Sequence, residues 1–380
     1  MFSKLKINTK LLKELDFTLL ISILIITLFG ILNIYLCTKA LEPNNPLIYT
    51  KKQLTWFLIS IILFYFMLTF DYKILYKYVP LLYWVSIILL ISVWIPGIGV
   101  KVNGARGWIN LRVCLLQPAE IAKFTMILML SKLLEDFDGE INNFKNFCIF
   151  LFYTALPMLL IVIQKDMGMT MVCFFIALGI VFIAKLNIRV ILYGLLTIVV
   201  SITLIWNTGL IYSHQKDRIE EFLNPGMDTS GKGYQFSQNI IGIGSGGILG
   251  NKVSMDNSIP SGYASANVPE IQTDFIFSAI AEQWGLVGSL FLLFLYAIVI
   301  LRILKISKES KDVFGSMVCV GMASYILFAI AQNVGMTLGL VPITGITLPL
   351  TSYGGSSLLT TLVSLGLVIN IGMNKRKIVF

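Results

Sequence analysis

The residue best placed to do chemistry is Asp274, which stands where a polar, glycine-rich stretch gives way to an apolar run. The pattern predicts that Thr273 caps the following helix and that Asp274 lies in its first turn, where the helix dipole favours a carboxylate. An ionised group at the membrane boundary is costly unless it is paired, hydrated or used. The position therefore indicates either a functional carboxylate, ionised but weakly basic at neutral pH, or a simple helix cap.

A second polar set follows the third apolar run. Arg106 and Arg112 flank Trp108, an arrangement that either binds a phosphate or sugar near the lipid headgroups or anchors the chain at the interface. Glu120 and Lys123 are three residues apart, so they share one helix face and can neutralise each other inside a bilayer. Their spacing leaves open whether the pair is structural or lines a polar cavity.

Further charges lie in later polar segments. Lys165 and Asp166 join the fifth and sixth apolar runs, where they either mark a short hydrated turn or belong to a site. Arg218 and Lys232 belong to a long polar stretch of about residues 213–272, which is too small and too polar for a hydrophobic core of its own. We expect this stretch to be an elaboration of one membrane domain that covers residues 1–380.

Two glycine-containing segments do not fit ordinary patterns. The glycines of residues 242–247 formally match a dinucleotide-binding motif, but no strand–turn–helix unit surrounds them. A flexible loop or an anion-binding backbone nest is therefore predicted. Residues 342–357 are too broken for one helix and too apolar for an ordinary loop. They predict a re-entrant segment that enters the last span, with Ser356 or Ser357 near the helix cap.

The composition excludes a soluble protein. Of 380 residues, 57% are hydrophobic and 13% are charged, and a soluble fold cannot bury that much apolar surface. The formal charge of +9 suits anionic lipids or an anionic substrate. No basic stripe interleaved with aromatic residues indicates nucleic-acid binding. The five cysteines are scattered without metal-ligand spacing and predict no disulfide framework.

The fold class predicted is an all-α polytopic membrane protein with about ten transmembrane helices. Apolar runs of suitable length fall at about residues 17–38, 54–70, 79–95, 118–134, 147–164, 168–185, 190–212, 273–301, 316–341 and 356–372. An even number of spans puts both termini on one side. Lysines and arginines near the termini make that side cytoplasmic, so the stretch 213–272 becomes a large extracytoplasmic loop between spans seven and eight.

Four blocks carry a resemblance to a known family, the SEDS proteins (shape, elongation, division and sporulation). These are NGARGWINL with QPAEIAK, FLNP through GIGSGG, VPEIQTDFIFSAIAEQWGLVG, and PITGITLPLTSYGGSS. The chain resembles the family over nearly its whole length. The resemblance implies a ten-span glycosyltransferase that polymerises lipid II into glycan strands on the outer face of the bacterial cytoplasmic membrane. It also implies a class B penicillin-binding protein as partner.

The resemblance also assigns roles to individual residues. Asp274 matches the family's catalytic aspartate and Trp108 its required tryptophan. Glu120 and Lys123 match the polar pair of span four, and Asp166 the acid between spans five and six. The chain departs from the usual family residues at five positions: Gly107, Arg112, Lys165, Gln272 and Thr347.

The implied mechanism is an inverting transfer in which Asp274 is the general base. The leaving diphosphate needs positive charge. The candidate cations are Arg106, Arg112, Lys123, Lys165, Arg218 and Lys232. A divalent cation such as Mg²⁺ or Mn²⁺ could share this role, although no metal-ligand cluster is evident. Two alternatives remain open, a flippase for the lipid-linked precursor and a non-catalytic scaffold of the wall-building complex.

Overall fold

The computed structural model describes residues 14–39, 44–102, 104–112, 114–206, 232–251 and 262–375, with 41 and 222 as isolated positions. Its long helices are α1 (Phe17–Thr38), α2 (Ile48–Thr69), α3 (Tyr72–Ser92), α4 (Pro118–Asp136), α5 (Phe144–Ile163), α6 (Met167–Ile183), α7 (Ile188–Trp206), α10 (Ile276–Glu309), α11 (Val313–Thr337) and α12 (Gly355–Met373). Two shorter helices, α8 (Lys232–Gly246) and α9 (Tyr263–Asn267), precede α10. One three-stranded antiparallel sheet, β1 (Gly99–Val102), β2 (Ala105–Asn110) and β3 (Leu115–Leu116), precedes α4.

The predicted helical membrane architecture is confirmed. Each predicted apolar run overlaps a helix, and residues 207–212 of the seventh run lie outside the described residues. Within the described part of the chain, seven helices are long and apolar enough to cross a membrane by length and composition. The other three long helices are α4, which carries several charged residues, the 17-residue α6, and α7. The figure of ten spans therefore stays a prediction.

The two ends of the bundle differ in character. At one end, an ion pair of 2.6 Å joins Arg302, two turns before the end of α10, to Asp16 before α1, and Lys375 lies 3.4 Å from Glu14. The first and last described residues therefore meet at this end. The opposite end carries the sheet, α8, α9 and residues 338–354.

The sheet was not predicted from the sequence. Strands β1 and β2 form a hairpin in which Val102 pairs with Ala105, and Gly104 lies in the connection between them. Gly104 has φ +86°, a conformation that glycine adopts at little cost. In the sequence, an Asn-Gly pair between two short strand-like runs is a strong signal for a hairpin.

Residues 338–354 form the predicted break before the last helix. They contain no helix, yet Leu348, Leu350 and Thr351 are buried. Side chains from neighbouring helices satisfy this buried backbone, as membrane depth requires. The Gln53 amide donates to the Ser352 carbonyl and accepts from the Gly354 N–H, both at 3.2 Å. Helix α12 then begins with Gly354 at its N-cap and no side-chain cap. Ser356 and Ser357 lie near this cap, two and three residues after it, as predicted.

We predict that Gln53→Ala destabilises the protein by about 1–3 kcal/mol, because a buried carbonyl and a buried N–H would both lose their partner. The check is the thermal unfolding midpoint of the purified protein in detergent. The matched control is Lys52→Ala, one residue away and exposed. An equal loss of stability in both variants would contradict this role for Gln53.

Residues 232–246 form helix α8 rather than a flexible loop or nest. Glycines allow α8 to approach α10 closely: a Cβ added at Gly246 would collide with the backbone of Ala281 and Glu282. The apolar residues Ile240 and Ile241 therefore belong to a packed helix rather than to a mobile loop. The sequence prediction failed here because glycine was interpreted as flexibility, whereas the glycine serves helix packing.

Candidate active site

Asp274 lies in a turn just before α10. Its N–H donates to the Glu270 carbonyl at 3.1 Å, and the Thr273 hydroxyl donates to the same carbonyl. Helix α10 begins at Ile276, with Phe275 at the N-cap and no side-chain cap. The prediction that Thr273 caps the helix and that Asp274 lies in its first turn is therefore wrong, because the turn already engages the Thr273 hydroxyl. A role in capping α10 therefore does not explain why a carboxylate stands at position 274.

The Asp274 carboxylate lies against the re-entrant segment. A Cβ built on Gly345 would be 3.3 Å from Asp274 Oδ2, and Gly345 has φ +76°. Asp274 is half-buried, and Gly345 is exposed. A larger residue at position 345 would be strained and would press on the carboxylate. The glycine therefore leaves room for the carboxylate at the point where the segment reaches the surface.

Asn333 of α11 fixes the backbone on both sides of this contact. Its Nδ2 donates to the Asp274 carbonyl and to the Ile346 carbonyl, each at 2.8 Å. Asn333 is fully buried. One amide thus ties the Asp274 turn to the re-entrant segment, so the carboxylate is positioned through the backbone.

Asp166 borders the same segment from another helix. Its carboxylate caps α6 by accepting from the Met169 N–H at 2.9 Å and also accepts from the Gln117 side chain at 3.2 Å. Two residues later, a Cβ on Gly168 would lie 2.7 Å from the Thr344 carbonyl. The first turn of α6 and the Asp274 carboxylate therefore contact adjacent residues of the segment. Whether Asp166 binds substrate stays a prediction.

The sheet places the three predicted residues around Trp108 differently. Arg106 is half-buried, and its N–H donates to the Gln164 carbonyl at 3.0 Å, which fixes it beside the turn that precedes Asp166. Trp108 is half-buried and pairs with Val100. Arg112 is exposed, at φ +66°, beyond the end of β2. Arg106 is thus the better placed of the two arginines to approach the segment.

Glu120 and Lys123 form a buried ion pair. Their charged atoms are 2.7 Å apart, and each side chain is 4% exposed. Thr360 of α12 donates to Glu120 at 2.8 Å, and the Lys123 ammonium lies 3.6 Å from the centroid of the Tyr325 ring on α11. The pair therefore joins α4 to two other helices. That Glu120 and Lys123 contact the substrate stays a prediction.

The structure does not describe the side chains of two of the predicted cations. Arg218 lies outside the described residues, and so does the Lys232 side chain, although Lys232 begins α8. Within the described ranges, no group of three or more His, Cys, Asp or Glu residues could hold a metal ion.

Sequence reasoning missed the buried amides that organise the site, above all Gln53 and Asn333. Both stand in apolar helices, and both donate to or accept from the re-entrant backbone. A polar side chain inside a membrane-length apolar run is costly unless it has a partner. That cost is the signal that could have identified them.

The chain matches one family model over nearly its whole length and is similar to proteins of that family. The family model FtsW, RodA, SpoVE, described as "Cell cycle protein", matches residues 13–377. The peptidoglycan glycosyltransferase MrdB of Escherichia coli K12 is 33% identical over 297 residues, 78% of each chain.

Two solved structures share the fold. A chain from a structure described as "Structural coordination of polymerization and crosslinking by a peptidoglycan synthase complex" has a TM-score of 0.78 and 28% identity, over 95% of this chain and 98% of that one. The rod shape determining protein RodA of Thermus thermophilus has a TM-score of 0.70 and 26% identity, over 96% and 98%.

Proposed function

The chain belongs to the FtsW, RodA and SpoVE family, the family predicted from its sequence, and from this membership we propose that it is a peptidoglycan glycosyltransferase. We propose further that it polymerises lipid II into glycan strands during cell-wall elongation, as a RodA-type member. The name of the E. coli relative supports the activity, and the likeness to RodA supports the role in elongation.

The observation that carries the proposed chemistry is the position of Asp274. Its carboxylate lies against the exposed Gly345, and Asn333 holds its backbone. In the proposed step, Asp274 accepts the proton of the acceptor sugar hydroxyl while that oxygen forms a bond to the anomeric carbon of the donor. The bond to the diphosphate breaks with inversion at the anomeric carbon. A carboxylate with a fixed backbone loses little orientational freedom in this step.

The leaving diphosphate requires nearby positive charge. Arg106, fixed beside the Gln164–Asp166 turn, is the best supported of the predicted cations, and Arg112 and Lys165 are exposed at the same end. A Mg²⁺ or Mn²⁺ ion, if one takes part, fits best as an ion carried by the diphosphate, because Mg²⁺ commonly binds through substrate phosphates and one or two carboxylates.

The proposed setting is the bacterial cytoplasmic membrane with both termini cytoplasmic. The described ends of the chain meet at one end of the bundle, where Arg302, Lys305, Lys308 and Lys375 also lie. Positive charge next to spans favours the cytoplasmic side. The sheet and the re-entrant segment would then face outward, where lipid II is consumed. The proposed protein partner is a class B penicillin-binding protein, supported by the likeness to a chain of a peptidoglycan synthase complex.

The direct test is polymerisation of purified lipid II by the purified protein in detergent, alone and with its partner transpeptidase. Glycan strands in the sample with the wild-type chain support the proposal. A flippase or a scaffold would form no strands in either sample, because the substrate is already accessible and no other polymerase is present.

We predict that Asn333→Leu lowers kcat for polymerisation by about 10²-fold with little change in KM for lipid II, since a misplaced catalytic group commonly costs that much. The matched control is Gln332→Leu. The Gln332 amide also donates to the re-entrant segment, at the Pro342 carbonyl (3.0 Å), but no bond from it to Asp274 is seen. If both variants lost activity equally, the role of Asn333 in positioning Asp274 would be refuted.

A further inference from the structure

Helix α10 is broken at Gly285, and a neighbouring turn repairs the break. Gly285 has φ +64° and ψ −163°, values essentially restricted to glycine. Near such a break, backbone groups lose their partners along the helix. Residues 247–251, the turn that follows α8, supply substitutes. The Leu286 N–H donates to the Gly247 carbonyl at 3.0 Å, and the Val287 N–H donates to the Ile248 carbonyl at 3.2 Å.

A third bond completes this attachment. The Asn251 N–H donates to the Glu282 carbonyl at 2.9 Å. Glycine again permits the contact, because a Cβ on Gly250 would collide with the backbone around Gln283. The turn is therefore fixed to α10 by three backbone hydrogen bonds, and its height on the helix is defined.

The outer surface of this turn is apolar and unusually exposed. Ile248 is 68% exposed and Leu249 is 81% exposed. Residues 233–251 contain no Asp, Glu, Lys or Arg. Leu286, Val287 and Leu290 of α10 are also exposed. The turn thus continues the outward apolar face of a helix that is long and apolar enough to span a membrane.

The length of α10 sets the depth of the turn. The first charged residue after the kink is Arg302, which is paired with Asp16 at the opposite end. A hydrocarbon layer of about 30 Å corresponds to about 20 helical residues. Counting back from Arg302 by that length reaches the level of Glu282. The turn, bonded to residues 282, 286 and 287, therefore lies at the edge of the hydrocarbon layer.

From this depth, exposure and absence of charge, we propose that Ile248 and Leu249 insert among the acyl chains of the leaflet at the sheet-bearing end. The insertion couples α8 to the bilayer surface, and through the three backbone bonds it couples the bilayer to the kink of α10. Asp274 lies two residues before that helix. The inference depends on the membrane-spanning fold and not on the proposed activity.

The test places a photoreactive benzoylphenylalanine at Leu249 in the full-length protein, both in phospholipid vesicles and in native membranes, and identifies the adducts by mass. The control places the same probe at Glu270, an exposed charged position at the same end. We expect a phospholipid adduct at Leu249 at about tenfold or more above the Glu270 level, the partition that burial of one leucine side chain implies.

Two results would overturn the proposal. One is a phospholipid yield at Leu249 no higher than at Glu270, and the other is a dominant adduct with a protein in native membranes, which would identify the turn as a protein interface. If the Leu249 variant does not purify as a folded protein, the same probe at Ile248 decides between the outcomes, because Ile248 is exposed on the same turn.

Discussion

Replacing Asp274 with asparagine is expected to lower the rate of glycan polymerisation by about 10²–10⁴-fold, the usual contribution of a positioned general base. Asparagine keeps the size of the side chain and both backbone bonds of residue 274, to Glu270 and to Asn333. It loses the ability to accept a proton at neutral pH. The fold and the binding of lipid II should therefore persist, and kcat should fall.

The control for this prediction is Glu270→Gln. Glu270 is an exposed acid in the same turn. It lacks the contact with the re-entrant segment that Asp274 makes, so its neutralisation should leave the polymerisation rate within about threefold of wild type, as expected of a surface change of less than about 0.5 kcal/mol. Strand formation by Asp274→Asn at the wild-type rate would remove the basis of the proposed mechanism.

The second large effect concerns the stability of the bundle. Glu120→Gln alone is expected to destabilise the protein by about 3–5 kcal/mol, because it leaves the Lys123 ammonium buried without its counter-charge. The double variant Glu120→Gln with Lys123→Met should recover most of that loss, since it buries no charge. The measurement is thermal unfolding in detergent, combined as a double-mutant cycle.

A second pair on the same helix serves as the control. Lys132 and Asp136 are 3.1 Å apart, but the aspartate side chain is 41% exposed, so removing this pair should cost no more than about 1 kcal/mol. The double variant at 120 and 123 also separates two roles of the buried pair. If it is stable and polymerises lipid II at the normal rate, the predicted contact of these two residues with substrate is wrong.

The spans could be predicted because the bilayer constrains the sequence strongly. Any helix in contact with acyl chains must be apolar over about 20 residues, and the run at residues 17–38 coincides with α1. Helix starts were less predictable. Helix α2 begins at Ile48 and includes Lys51 and Lys52, which lie outside the apolar run because their heads can reach water from a helix end.

The site could be predicted only in part. Asp274 stands out because a carboxylate at the membrane boundary is costly, but its partners come from elements distant in sequence. Its contact with Gly345 and its bond to Asn333 depend on how α11 and the re-entrant segment fold back. The helix start near 274 was also misplaced, because hydrophobicity marks depth in the membrane but not the turn that precedes a helix.

The buried pair between α4, α11 and α12 has a consequence for the response to voltage. A single ionised group at membrane depth gains or loses about 2.3 kcal/mol per 100 mV when it moves across the whole field. Glu120 and Lys123 move as a unit with no net charge, because their charged atoms are held 2.7 Å apart. The transmembrane potential therefore exerts almost no net force on this junction, and the three helices stay joined whether the membrane is energised or not.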